Sequence, residues 1–293
     1  MSNASRNSAS MLHVLALAAA VLTPADVLAA QPACEAPITL DLSVPRPALP
    51  VTVAGKPVRA VLDTGAVTTI VGYADADALH LKREGDLPAE FQRLPGTAGG
   101  YATTLPGVVV GGLALGDIHA LAMAPLLPGY AVVLSPNAFG ERLLILDLAT
   151  ATLRACDRAE GVPQGETSPY DPGPLSIPTL RVQIGAQVLA AHLDTGSPMA
   201  LALPMRFAQT LALEGPLVPA GMAHSHTGPA PIFKARLAED VRVGPLHLPR
   251  PEVLFTDAVP EPNVGTTLLR RLTITLDPKG RRTWAAEAVH GPA

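Results

Sequence analysis

The sequence has few aromatic residues and few charges. Its 293 residues include five Phe, four Tyr and one Trp, and only 16% are Asp, Glu, Lys or Arg. Lys and Arg number 21 against 25 Asp and Glu, so the net charge is −4 and no basic surplus exists to hold a phosphate backbone. This balance argues against nucleic acid as a partner. The 48% of hydrophobic residues is enough to form a core and argues against a disordered chain.

Long helical segments are missing as well, because 31 Pro and 25 Gly recur throughout the chain. Proline and glycine at this frequency interrupt helices and favour short strands joined by turns. With so few aromatic residues, the core has to consist of Val, Leu, Ala and Ile. The composition therefore predicts an all-β protein and fits a helical bundle, a repeat solenoid or a doubly wound nucleotide-binding fold poorly.

A single long apolar run lies near the N-terminus. Residues 11–22 are apolar except for His13, follow a polar stretch that contains Arg6, and precede the small residues Ala29 and Ala30. This layout predicts a secretory signal peptide over residues 1–30 and a periplasmic or secreted mature protein with no stable membrane anchor. An uncleaved anchor is the alternative, but the run is too short to span a bilayer comfortably.

The chain has only two cysteines, Cys34 and Cys156. In an exported protein, an even number of cysteines favours a disulfide. Its loop of 122 residues would stabilise the fold by about 4–5 kcal/mol in the chain-entropy description. Two unrelated buried thiols are the alternative. Neither cysteine has the spacing to a histidine that a zinc site requires, so no metal is implied.

A duplication is the most informative feature of the sequence. The segment Asp63-Thr64-Gly65-Ala66 recurs 131 positions later as Asp194-Thr195-Gly196-Ser197. Two further similar segments end at Asp147 and Asp277, 130 positions apart. Separate matches with nearly the same period indicate duplicated lobes. We expect an N-terminal lobe over residues 31–160, a linker over 161–174 and a C-terminal lobe over 175–293.

The same order of elements is predicted around both copies. A hairpin precedes each Asp-Thr-Gly, with strands at 51–53 and 58–62 in the first copy and at 180–184 and 188–193 in the second. A short strand and a short helix follow, the helices at 74–81 and 204–213. Each lobe closes with a strand ending in Leu-Asp and a final strand, at 152–156 or 282–286.

Two copies of Asp-Thr-Gly in register with a repeat predict one shared site. A lone copy is most often an ordinary turn, and a turn merely copied with its lobe remains the alternative here. If the lobes face each other about a pseudo-twofold axis, Asp63 and Asp194 meet on that axis. Two carboxyl groups about 3 Å apart cannot both ionise at low cost, so they share a proton. One can then accept a proton from water while the other donates one to a carbonyl, which hydrolyses an amide without metal or cofactor.

The residues after both aspartates fit such a site. Gly65 and Gly196 allow tight turns and a close approach of the backbone to the carboxyl groups. Thr64 and Thr195 place hydroxyls where they can join the two turns. Ala66 and Ser197 complete the turns.

With these motifs the sequence resembles the aspartic proteases, specifically a retropepsin-like domain present twice in one exported, bacterial-type polypeptide. The family pattern continues with apolar–apolar–Gly and a short helix. The second lobe matches it with Val264-Gly265 and a predicted helix at 266–272, whereas the first lobe has Ser135 at the glycine position. The resemblance covers roughly residues 36–287. It implies an all-β fold of two pseudo-symmetric acid-protease-type β-barrel lobes with short helices and the active site at the lobe interface.

The family also implies a flap, a hairpin that covers the substrate. Residues 96–101 lie where it would begin in the first lobe, which makes Gly99, Gly100 and Tyr101 flap candidates, with a plain mobile loop as the alternative. The corresponding stretch of the second lobe, 224–226, contains two histidines that we interpret as part of a solvated loop. His192 is expected to pack at the lobe interface.

The resemblance implies an exported aspartic endopeptidase in which Asp63 and Asp194 activate water and a peptide or protein is the substrate. The alternative is a catalytically silent peptide-binding protein on the same fold, which Ser135 and the scarcity of aromatic residues would favour. Because one chain carries both motifs, we expect a monomer.

Overall fold

The computed structural model describes residues 34–289 except 93–96, 125, 126, 128, 161, 174, 175, 226 and 227. The predicted signal peptide at 1–30 lies outside the described residues. No helix in the described ranges is both long enough and apolar enough to cross a membrane.

Short strands dominate both halves of the chain, as the many turn residues predict. The N-terminal half contains β1 (Ile38–Thr39), β2 (Ala48–Val53), β3 (Lys56–Leu62), β4 (Thr69–Gly72), β5 (Gly85–Asp86), β6 (Tyr101–Val110), β7 (Leu113–Met123), β8 (Val132–Leu134), β9 (Leu143–Asp147) and β10 (Thr152–Cys156). The C-terminal half contains β11 (Ser168–Pro169), β12 (Thr179–Ile184), β13 (Gln187–Asp194), β14 (Leu201–Leu203), β15 (Val218–Ser225), β16 (Gly228–Arg236), β17 (Val241–Val243), β18 (Leu246–Leu248), β19 (Glu252–Phe255), β20 (Asn263–Gly265), β21 (Leu272–Asp277) and β22 (Arg282–Glu287).

The helices are few and short. Among the described residues they are α1 (Tyr73–Ala78), α2 (Ala89–Gln92), α3 (Thr266–Leu269) and three 3₁₀ turns at Pro136–Phe139, Arg158–Glu160 and Met205–Gln209. The helices predicted at 74–81, 204–213 and 266–272 are therefore present but shorter. The last one ends early because β21 begins at Leu272, where the side chain is fully buried.

The first lobe is a closed six-stranded barrel. Its strands follow the order β2-β3-β8-β4-β7-β6, and β6 pairs back onto β2, with Val51 opposite Val110. Alternate residues of β2 and β3 point inward, and the buried side chains of Val51, Val53 and Leu62 belong to the main core. The predicted hairpin before the first Asp-Thr-Gly is thus one wall of the barrel.

The second lobe is a curled nine-stranded sheet of order β15-β16-β19-β14-β20-β13-β12-β17-β18 that does not close into a ring. In place of the long β7 it has two strands, β18 and β19, separated by Pro249-Arg250-Pro251. Proline cannot donate to a strand ladder, and Arg250 adopts a positive φ of 38°, so a continuous strand cannot form there. The all-β two-lobed fold is confirmed, with one closed and one open barrel.

A third, six-stranded sheet joins the lobes in the order β1-β10-β9-β21-β22-β11. At its centre β9 and β21, the strands that contain the second repeated motif, pair antiparallel with Leu144 opposite Leu276. The segment predicted to be a linker contributes β11, which pairs with β22. The lobes are therefore joined by a continuous ladder of backbone hydrogen bonds.

Two covalent and ionic contacts reinforce this sheet. Cys34 and Cys156 form a disulfide that fixes the start of the described chain to β10. Arg158 donates from Nε to Oδ1 of Asp277 at 2.9 Å, and the Asp277 side chain is completely buried. The repeated Asp277 is thus a structural residue that holds the end of the first lobe against β21.

Candidate active site

The two Asp-Thr-Gly turns leave the barrels at equivalent positions. Asp63 directly follows β3, and Asp194 is the last residue of β13. Each of these strands is held by a short parallel strand, since β8 pairs with β3 and β20 pairs with β13. The backbone N–H of Asp63 donates to the carbonyl of Leu134 in β8 at 3.0 Å, which fixes where the first turn starts.

The structure brings the two aspartates together at the lobe interface. The two carboxyl groups lie within range of direct interaction, and each also lies against the glycine of the opposite turn. We call Asp63 and Asp194 the aspartate pair. A side chain on Gly196 would lie 2.6 Å from the Asp63 carboxyl carbon, and one on Gly65 would lie 3.0 Å from that of Asp194. A side chain at either position would therefore press against the carboxyl group of the opposite turn.

The two threonines cross-link the turns symmetrically. The Thr64 hydroxyl donates to the Leu193 carbonyl at 2.8 Å and accepts from the Thr195 N–H at 3.0 Å. In return, the Thr195 hydroxyl donates to the Leu62 carbonyl at 2.6 Å and accepts from the Thr64 N–H at 3.0 Å. Both side chains are fully buried. These four bonds hold the lobes in the register that keeps the aspartate pair in contact.

The environment of the pair favours a protonated Asp63. Burial raises the pKa of Asp63 to about 8, and the neighbouring charge of Asp194 and the hydrogen bond between the carboxyl groups act in the same direction. The Gly65 N–H, which donates to Asp63 Oδ1 at 2.8 Å, and the positive charge of Arg46 lower this pKa and offset part of the shift.

Asn263 is a residue of the site that the sequence analysis did not identify. It starts β20 and donates from Nδ2 to Asp194 Oδ2 at 2.7 Å. The side chain is 5% exposed. A detectable signal was its position immediately before Val264-Gly265, where a polar residue occupies the first apolar position of the family pattern apolar–apolar–Gly.

Arg46 is a second residue that the sequence did not reveal. It precedes β2, and its Nε donates to the carbonyl of Gly196 at 2.5 Å across the lobe interface. Its own carbonyl accepts from the Tyr130 hydroxyl at 3.4 Å. An arginine in a proline-flanked loop carries no motif, so only the folded arrangement indicates its role.

Ser135, which departs from the family pattern, fits the space behind the first turn. Its hydroxyl donates to the Ala66 carbonyl at 2.7 Å and accepts from the Asn137 N–H, so it also caps the following 3₁₀ turn. In the second lobe the equivalent Gly265 has no such space, because a side chain there would lie 2.6 Å from the Ser197 carbonyl oxygen. The space behind the Asp-Thr-Gly turn thus holds a serine side chain in the first lobe and no side chain in the second.

The flap candidates lie at the start of β6. Gly99 has a positive φ of 77°, and a side chain on Gly100 would lie 2.6 Å from Leu87, so both require glycine. Tyr101 pairs with Asp86 of β5 and stacks on Tyr73 with ring centroids 6.3 Å apart. The role of Gly99, Gly100 and Tyr101 as a flap stays a prediction.

In the second lobe the corresponding stretch belongs to a longer hairpin, β15–β16, so His224 and Ser225 lie in a strand and not in the predicted solvated loop. His226 lies outside the described residues. His192 contacts the segment between the lobes, with its Nε2 2.8 Å from Asp171 Oδ2. Its hydrogen bond to Asp171 lowers the pKa of that carboxyl group. His192 therefore packs against the segment between the lobes, and its place at the lobe interface stays a prediction.

We predict that Thr64→Val will destabilise the protein by about 2–4 kcal/mol, because the isosteric change leaves the Leu193 carbonyl and the Thr195 N–H buried without their partner. Thr64→Ser is the matched control, since it keeps the hydroxyl and should stay within about 1 kcal/mol of wild type. Urea unfolding of the three proteins measures the difference. Equal stability of the valine and serine variants would contradict the cross-link.

Comparison with known proteins agrees with this geometry. Residues 49–134 match the family model described as "gag-polyprotein putative aspartyl protease". The matched range begins in β2, includes the first Asp-Thr-Gly and ends with β8. No curated protein matches the chain.

Proposed function

We propose that this chain, whose first lobe matches an aspartyl protease family, is an aspartic endopeptidase that hydrolyses peptide bonds with a water held between Asp63 and Asp194. The observation that carries the proposal is the contact between the two carboxyl groups across the lobe interface. Family and fold alone would support only a protease-type protein. The paired carboxyl groups supply the general acid and the general base in one place.

The chemistry follows from the single proton that the pair shares. The ionised carboxyl accepts a proton from water as the water oxygen attacks the peptide carbonyl carbon. The protonated carboxyl donates its proton to the carbonyl oxygen, so that a neutral gem-diol forms without a covalent enzyme intermediate. The Thr64 and Thr195 cross-links keep the carboxyl groups in place while charge is redistributed.

The proposal includes a peptide or protein substrate, a monomer and an exported location. One chain supplies both halves of the pair, so no second copy is needed to build the site. Disulfides persist in oxidising compartments, and the Cys34–Cys156 bond is compatible with the periplasm or the extracellular space.

A peptide library and a transition-state mimic together test the proposal. We expect purified mature protein to cleave library peptides internally. We also expect a peptide with a hydroxyl in place of the scissile carbonyl to inhibit cleavage and to bind at least about 100-fold more tightly than the matching substrate. Calorimetry with wild type and Asp194→Ala measures whether binding depends on the aspartate pair.

The same measurement identifies the alternative, a catalytically silent peptide-binding protein. Aspartate-dependent binding of the hydroxyl peptide with no cleavage of any library member would favour that function. Ser135 fits behind the first turn, which removes one reason for expecting an inactive protein. The first Asp-Thr-Gly turn is held by hydrogen bonds just as the second one is. Absence of both binding and cleavage would overturn the endopeptidase proposal.

A further inference from the structure

The two members of the aspartate pair have different hydrogen-bond donors. Asp63 Oδ1 accepts from the Gly65 backbone N–H within its own turn. Asp194 Oδ2 accepts from the side-chain amide of Asn263, which lies on the neighbouring strand β20. The position equivalent to Asn263 in the first lobe is Val133, because Val133 pairs with Val61 as Asn263 pairs with His192. Valine has no donor to offer, so the asymmetry is built into the side chains.

The Asn263 amide has one orientation that suits a carboxylate. Its Nδ2 faces Asp194 Oδ2, whereas the reverse orientation would place two oxygen acceptors against each other. The side chain is held in β20, between β13 and β14, and is 95% buried, since only 5% is exposed. Its Oδ1 has no hydrogen-bond partner within the described ranges. An unpaired buried oxygen costs free energy. The hydrogen bond that the same amide donates to Asp194 is therefore retained in spite of that cost.

We propose that Asn263 is a positioning residue that keeps Asp194 as the ionised member of the pair and leaves the shared proton on Asp63. A hydrogen bond from a fixed donor favours the charged form of its acceptor. This assigns the two roles in the reaction. Asp194 accepts the proton of the attacking water, and Asp63 donates its proton to the carbonyl oxygen while the water oxygen bonds to the carbonyl carbon.

The other charged groups around the pair are compatible with this assignment. Arg46 faces Asp63 and favours its ionised form, but the combined effect of burial and of Asp194 is larger and raises the pKa of Asp63. His192 is the strand neighbour of Asn263, and its Nε2 is paired with Asp171 and not with the aspartate pair. Within the described residues, Asn263 is therefore the side-chain donor that distinguishes the two carboxyl groups.

The location of the proton can be measured without turnover. In protein labelled with ¹³C at the Asp carboxyl carbons, NMR spectra between acidic and neutral pH report which carboxyl is protonated, and Asp63→Asn and Asp194→Asn assign the two signals. We expect the retained proton on the Asp63 carboxyl, whose pKa is raised to about 8 by burial and by the charge of Asp194. A wild-type spectrum in which Asp194 retains the proton would overturn the proposal, and this result needs no Asn263 variant.

Asn263→Leu then tests the cause. In this variant Asp194 loses its side-chain donor, so the ¹³C signals should show the retained proton divided between the two carboxyl groups and no longer confined to Asp63. The acid limb of the kcat/KM profile for a cleaved peptide should move to higher pH. Val133→Leu, the matched change in the first lobe, removes no donor and should keep the wild-type distribution of the proton. The wild-type distribution in folded Asn263→Leu would contradict the proposal.

This inference rests on the proposed function only for the roles in the reaction. If no peptide is cleaved but the carboxyl titration shows the expected asymmetry, the endopeptidase proposal fails while the assignment of the proton stands. If peptides are cleaved and the asymmetry is absent, the assignment of the proton fails while the endopeptidase proposal stands.

Discussion

Asp63→Asn and Asp194→Asn are each expected to lower kcat/KM for a cleaved peptide by at least about 10³-fold, with the fold retained. Asparagine has nearly the same shape as aspartate, so the threonine cross-links between the turns remain. It cannot exchange a proton with water, so the pair loses either its base or its acid. Activity on the best library peptide, measured with circular dichroism and thermal unfolding on the same samples, separates loss of chemistry from loss of structure.

The matched control is Asp77→Asn, which makes the same chemical change on the exposed face of α1 in the first lobe. It should retain wild-type kcat/KM. Cleavage by either Asp63→Asn or Asp194→Asn within about tenfold of wild type would show that the pair does not activate the water. Equal losses in the control and in the pair variants would point to a general effect on folding.

The second large effect concerns stability. The unfolding free energy of wild type relative to Asp63→Asn is expected to fall as the pH rises from about 4 to about 8. The pKa of Asp63 is raised to about 8 in the folded protein by burial and by the charge of Asp194, whereas an unfolded Asp ionises near pH 4. Between these values the folded state binds a proton that the unfolded state has lost. The contribution of this proton is complete below about pH 4 and lost as the pH passes about 8.

The expected slope is about 1.4 kcal/mol for each pH unit, so the change across the window is on the order of a few kcal/mol. Urea unfolding of both proteins at several pH values measures it as a difference. Asp171, whose pKa is lowered by its hydrogen bond to His192, acts in the opposite direction and loses its contribution at acidic pH. Because Asp171 is present in both proteins, its contribution cancels in the difference between their unfolding free energies. A difference that stays constant with pH would show that Asp63 ionises normally in the folded protein.

The repeat predicted much of this arrangement because both copies had to build the same turn. Recurrence of Asp-Thr-Gly identified Asp63 and Asp194 as partners, and the threonines between them were expected to join the turns. The hairpins before each aspartate lie close to their expected bounds, since β3 ends at Leu62 and β13 at Asp194. Local patterns of alternating apolar residues and turns are sufficient for such elements.

What the sequence left open depends on contacts between segments far apart in the chain. Arg46 contacts Gly196, which is 150 residues away in the sequence, and no local sequence pattern predicts this contact. Asn263 departs from the family pattern apolar–apolar–Gly, but only the parallel pairing of β20 with β13 shows that its amide faces Asp194. The second barrel stays open because β16 and β17 are separate strands where the first lobe has the continuous β6, a difference that only the strand pairings show.

The six-stranded sheet that joins the lobes has a consequence for how such a site can vary. In a symmetric dimer of identical chains, any substitution appears on both sides of the axis at once. Here β9 and β21 join two non-identical halves of one chain, so one half can have asparagine at 263 while the other has valine at the equivalent position 133. Covalent continuity thus allows one half to become the dedicated base and the other the dedicated acid, a division of labour that identical subunits could not encode.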